Sequence, residues 1–68
     1  MADFIRVREI IDNMEEPYET EVSRWLSKYY ITDMEDDSAH HQSFLVYNGK
    51  EIKVRETVPQ ILLLFQNP

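Results

Sequence analysis

His40 and His41 are the only histidines in this 68-residue chain, and they closely follow Asp33, Glu35, Asp36 and Asp37. Acids and imidazoles so near one another raise the question of a metal site, and ligand spacing answers it. In a calcium loop counted from Asp33, Glu35 and Asp37 take the third and fifth positions. Ser38 then stands where the turn glycine is needed and Phe44 where the closing bidentate glutamate is needed. Adjacent histidines in a strand point to opposite faces, and no His-x-x-x-His pair completes a zinc site. The segment is read as a solvated loop with no metal ligands.

Catalysis needs a nucleophile or an acid–base pair in distinct environments, commonly beside a cofactor cradle. One glycine and no cysteine leave little material for a phosphate-binding loop or a thiolate. The carboxylates stand in runs that give them similar surroundings. No catalytic residue, cofactor or enzymatic activity is therefore expected.

The carboxylates matter more as surface. Asp12, Glu15, Glu16, Glu19 and Glu21 form one block without a basic residue, and Asp33, Glu35, Asp36 and Asp37 form a second. Like charges held together on a small fold repel one another, and such a patch attracts a basic partner. Together with Tyr30, these residues are the expected partner-binding set. The formal charge of -6 argues against direct nucleic-acid binding. The expected partner is a basic protein surface. In its most concrete form, the protein is a small phage or mobile-element inhibitor filling the nucleic-acid channel of a host or defence enzyme. Two alternatives stand beside it: a winged-helix regulator that binds nucleic acid through Lys50, Lys53 and Arg55, and a subunit stable only in a larger assembly. Those three cations also serve the simpler purpose of guarding an edge strand against aggregation.

The elements that would position these groups follow from apolar spacing. Phe4, Val7, Ile11 and Met14, widened by Ile10, recur as on one face of a helix over residues 3–14, with Asp3 as its cap. Pro17 suits the first turn of a second helix over 17–29, whose apolar face holds Tyr18, Val22, Trp25, Leu26 and Tyr29. Trp25 is read as core on that stripe. Thr32–Gln42 has no apolar period and is read as a loop.

From Ser43 the signal changes. Asn48-Gly49 between two short apolar stretches predicts a hairpin with a type I′ turn, pairing Tyr47 with Lys50, Leu45 with Ile52 and Ser43 with Val54. Leu45, Tyr47, Ile52 and Val54 then share one face, while Phe44 and Val46 lie on the other. Thr57 and Gln60 have the spacing of a capping box, and Pro59 falls in a first turn, so a third helix over Thr57–Gln66 is predicted, with a strand as the alternative. Ile61, Leu62, Leu63, Leu64 and Phe65 cover more than one helical face, which points to self-association, in the simplest case a homodimer.

The fold class expected is α+β: two N-terminal helices, a β-hairpin with an Asn-Gly turn, and a short C-terminal helix in a single domain over 1–68. A core this small supplies limited stability, and without cysteine no disulfide supplements it. The same lack of cysteine, with no apolar run of membrane-spanning length, is read as a soluble cytoplasmic protein.

Overall fold

Ile5, Val7, Ile10 and Ile11 give the first segment a β-branched character that suits a pleated strand better than a helix. In the computed structural model, which describes residues 3–12 and 19–66, Phe4–Asp12 is strand β1. It pairs antiparallel along its whole length with β2, Glu19–Ser27. Among the described residues, both N-terminal helices expected from the spacing are thus replaced by strands, with a 3-10 turn at Lys28–Tyr30 where the second was expected to end. Met14, Pro17 and Tyr18 lie outside the described residues. The expected loop is also corrected: Ile31–Asp37 forms β3 and Ser38–His40 a single 3-10 turn.

Strand β4 (Gln42–Tyr47) and strand β5 (Lys50–Val54) form the expected hairpin. Tyr47 pairs with Lys50, Leu45 with Ile52 and Ser43 with Val54. Asn48 and Gly49 have φ of 50° and 82°, the left-handed conformations that both central residues of a type I′ turn require. The fold is therefore one antiparallel sheet in the order β2-β1-β5-β4-β3, followed by a single helix, α1 (Val58–Gln66). In this order β5 lies between β1 and β4, and Lys53 itself pairs with Ile10 of β1, so Lys53 does not guard a sheet edge.

Helix α1 begins as the capping-box spacing predicts. Thr57 N–H donates to Gln60 Oε1 at 2.9 Å, and Gln60 N–H to Thr57 Oγ1 at 3.5 Å. Asp36 Oδ1 accepts a further bond from Val58 N–H at 3.0 Å, which ties the helix to β3. Ile61 then enters the core formed by Ile5, Val7, Leu26, Leu45 and Val54. Burying each such side chain stabilises the fold by about 1.5–3 kcal/mol.

Consecutive strands β2 and β3 occupy opposite edges of the sheet, yet only the 3-10 turn Lys28–Tyr30 joins them. So short a connection forces the sheet to coil until its edges approach at that end. One hydrogen bond reaches across to the end of β2, where Tyr47 Oη accepts from Ser27 N–H at 3.0 Å, while Asn48 N–H continues the β3–β4 ladder by donating to Tyr30 C=O at 2.9 Å. Tyr47 also meets the Tyr30 ring edge-on, with centroids 6.1 Å apart, and lies under the Arg24 guanidinium at 5.1 Å. Arg24 in turn donates to Glu9 Oε1 at 2.8 Å, so this inward-facing pair is paired rather than exposed as isolated charge.

Candidate functional site

Strand β1 has two partners of very different extent. Against β2 it pairs through nine residues, but against β5 it pairs only through Glu9–Val54 and Ile10–Lys53. Just beyond that short seam, Arg55 N–H donates to Arg8 C=O at 2.9 Å, and the chain then turns away toward α1. Ser43 fixes the departure by donating its hydroxyl to Glu56 C=O at 2.7 Å.

The Glu56 carboxylate stands where the next strand carbonyl would be. Its Oε1 accepts the backbone N–H of Arg8 at 2.8 Å and its Oε2 accepts Arg8 Nε–H at 3.0 Å. That hydrogen bond, reinforced by the charge of Glu56, raises the Arg8 pKa above its ordinary value. Arg8 therefore directs both its backbone groups away from β2. By the two-residue period of a strand, Arg6 and Phe4 direct theirs to the same side, where no described strand pairs with them.

Beside this open edge lies a groove of about 360 Å³ lined by Arg6, Arg8, Glu56, Gln60, Leu63 and Leu64. No described acid pairs with Arg6. On the outer face, Trp25 lies directly across β1–β2 from Arg6, and Phe4 is its diagonal neighbour. Trp25 is 64% exposed and Phe4 60% exposed, so the reading of Trp25 as core is corrected. The helical stripe that suggested it does not exist: inward positions of β2 alternate, and Leu26 takes the buried one. A second groove, of about 330 Å³, lies past the other end of the seam, between Ile11 and Asp12 of β1 and Glu51 and Ile52 of β5.

The described acidic residues do not gather into one surface. Asp36 caps α1. Asp37 accepts from Gln42 Nε2 at 3.2 Å and faces His40 Nδ1 at 2.9 Å. Partial burial works to raise the Asp37 pKa, but the hydrogen bond and charge of His40, with the Gln42 contact, outweigh it and leave the carboxyl below its ordinary value. Asp12 is 3.4 Å from Lys53 Nζ, and Glu21 is bonded to Arg55 Nε. Asp33 binds the N–H of Met34, and Glu35 is exposed beside it on the β3 edge. Glu15 and Glu16 lie outside the described residues, and Glu19 is placed only as the strand position opposite Asp12. Tyr30 is exposed.

The apolar run of α1 divides in the same way. Ile61 is 0% exposed and belongs to the monomer's own core, with Leu64 and Phe65 packed partly against it. Leu62 and Leu63 remain exposed. The groove-lining position of Leu63 and the open backbone of β1 had no signal in the spacing, because both depend on where β5 stops.

Among the described residues no group of three or more His, Asp or Glu side chains is arranged to hold a metal ion. No described helix is long and apolar enough to cross a membrane. The helix pair that a winged-helix reading requires is absent from the described residues, where β1 and β2 occupy its place. Compared with known protein families, characterised proteins and solved structures, the chain matches none closely enough to show a family, a relative or a shared fold.

Proposed function

We propose that this protein is a non-catalytic interaction module that docks on another protein through the outer face of β1 and β2, with Trp25 as its anchor. The observation that carries this reading is the exposure of Trp25, with Phe4 and Arg6 beside it on one rigid pair of strands. Tryptophan and arginine are the residues most enriched where interfaces concentrate their binding energy. A tryptophan left in water on a regular strand gives nothing to the core, so its burial by a partner is free to drive association.

The test is a paired capture from lysate with wild type and Trp25→Glu, followed by mass spectrometry and a melting curve for each. A partner held by wild type and lost in Trp25→Glu at an unchanged melting temperature supports the reading. Identical captures from the two proteins would sink it.

A second reading keeps exposed acidic residues as the docking site for a basic protein, such as the channel of a nucleic-acid-handling enzyme. It is favoured by one row on the outer face, where Asp33 and Glu51 flank Val46 across β3, β4 and β5. Asp33→Lys with Glu51→Lys then weakens capture and its salt dependence, while Trp25→Glu does not.

A further inference from the structure

We propose, resting on the docking reading above, that the open half of β1 accepts an extended peptide of alternating apolar and acidic residues as a sixth strand of the sheet. The backbone supplies the first requirement. Arg6 and Phe4 direct their N–H and C=O groups to a side that β5 does not reach, which is the arrangement that strand addition uses. Glu56 already imitates such a strand for one residue, taking the Arg8 amide with a side-chain carboxylate.

Side chains supply the selectivity. Successive residues of an added strand point to opposite faces. On the outer face they meet Arg6 and Arg8, and Arg6 has no acid partner among the described residues, so a carboxylate fits there. On the other face they meet Leu63 and Leu64 of α1, where an apolar side chain fits. The alternation of acid and apolar residue follows from this two-sided lining.

A second copy of the chain fits the same edge poorly. The Arg8 backbone is already bonded to Glu56 and Arg55, so two copies could pair only through Phe4 and Arg6, about Ile5. That register sets each Arg6 opposite a Phe4 and brings it no carboxylate. An acidic strand supplies the charge partner that self-pairing lacks.

The experiment uses the full chain, labelled with ¹⁵N, and a capped synthetic peptide of roughly six residues, the usual strand length, alternating leucine and aspartate. A leucine–lysine peptide and a leucine–aspartate peptide interrupted by proline serve as controls. The expected result is that the amides of Phe4 and Arg6 shift most and exchange more slowly with the acidic probe, while both controls bind at least about tenfold more weakly. Arg6→Glu should cost about tenfold or more in affinity for the acidic probe, the scale of one charge-assisted hydrogen bond, and favour the lysine probe instead. Leu63→Asp should weaken the acidic probe without altering the circular dichroism spectrum. No shift at Phe4 and Arg6 at millimolar probe overturns the proposal. So does equal binding of the proline-interrupted peptide, or slow exchange of those amides in a self-associated form without any probe. If the probe fails while Trp25-dependent capture persists, the strand-addition proposal falls and the docking reading stands. If the probe binds but no captured partner depends on Trp25, the docking reading falls instead.

Discussion

Glu56 holds Arg8 twice, by the backbone amide at 2.8 Å and by the guanidinium at 3.0 Å, and so closes with a side chain the position where β1 loses its neighbouring strand. Glu56→Ala removes both bonds and frees the Arg8 amide, while Arg8 C=O keeps its bond from Arg55 N–H. The expected loss is about 1 kcal/mol in urea denaturation, because the freed amide can still be hydrated. Glu56→Gln keeps an acceptor for the amide and should lose less. A Glu56→Ala protein as stable as wild type would show that this contact contributes nothing.

Asp36 belongs to the second acidic block in sequence but works as a helix cap in the fold. Asp36→Ala should therefore cost about 1 kcal/mol, the usual value of such a cap, whereas Asp33→Ala on the same strand should change stability by less than about 0.5 kcal/mol. Reversing the charge at Asp36 and Asp37 together should lower the melting temperature. A rise would mean that relief of self-repulsion outweighs both sets of hydrogen bonds.

Asp37 gives the fold an acid dependence whose sign is fixed. Its folded pKa is lowered from an ordinary value of 3.8. The unfolded chain therefore binds the proton more readily, so the contribution is complete above the unfolded value and is lost as pH falls through the lower folded one. Denaturation of wild type and Asp37→Asn, followed from pH 5 downward, should show a steeper loss for wild type. Parallel curves would remove Asp37 from the account.

Ile61 and Leu63 sit two residues apart on α1 with opposite fates, the first 0% exposed and the second 60% exposed. Ile61→Ala should cost about 2–5 kcal/mol, since it empties a site the surrounding strands cannot fill. Leu63→Ala should stay within about 0.5 kcal/mol. Equal losses at the two positions would mean that α1 is rotated from the orientation described.

The C-terminal part of the chain is legible because its signals are local. Asn48-Gly49 dictates a turn through backbone conformation alone, and Thr57 with Gln60 dictates a helix start through two hydrogen bonds three residues apart. The N-terminal part misleads because its apolar residues serve two faces. Ile5 and Val7 fill the inner face, but Ile10 is buried on the outer one, and the mixed spacing imitates a helical period. In β3 the register shifts between Ile31 and Asp33, leaving Thr32 as an extra residue, so the half-buried Ile31 and Met34 fall three apart and the alternation disappears. The open edge and the exposed Trp25 were beyond reach for a further reason: each depends on which strands become neighbours. That information lies in contacts between residues such as Glu9 and Val54, far apart along the chain.

The two-residue seam between β1 and β5 also divides the molecule in time. The β1–β2 pair and the β3–β4–β5 meander each close through neighbouring segments, whereas Glu9 must find Val54 across about two thirds of the chain. Closing so long a loop for two residue pairs returns little until α1 docks, so each half can assemble early and the seam forms late. Substitutions at Glu9 or Ile10, on the β1 side of the seam, should then act mainly on the unfolding rate, and those inside the Asn48-Gly49 hairpin mainly on the folding rate. Stopped-flow chevrons for Ile10→Ala and Leu45→Ala separate the two, and equal partition of both substitutions between the limbs would assign the seam to the folding nucleus.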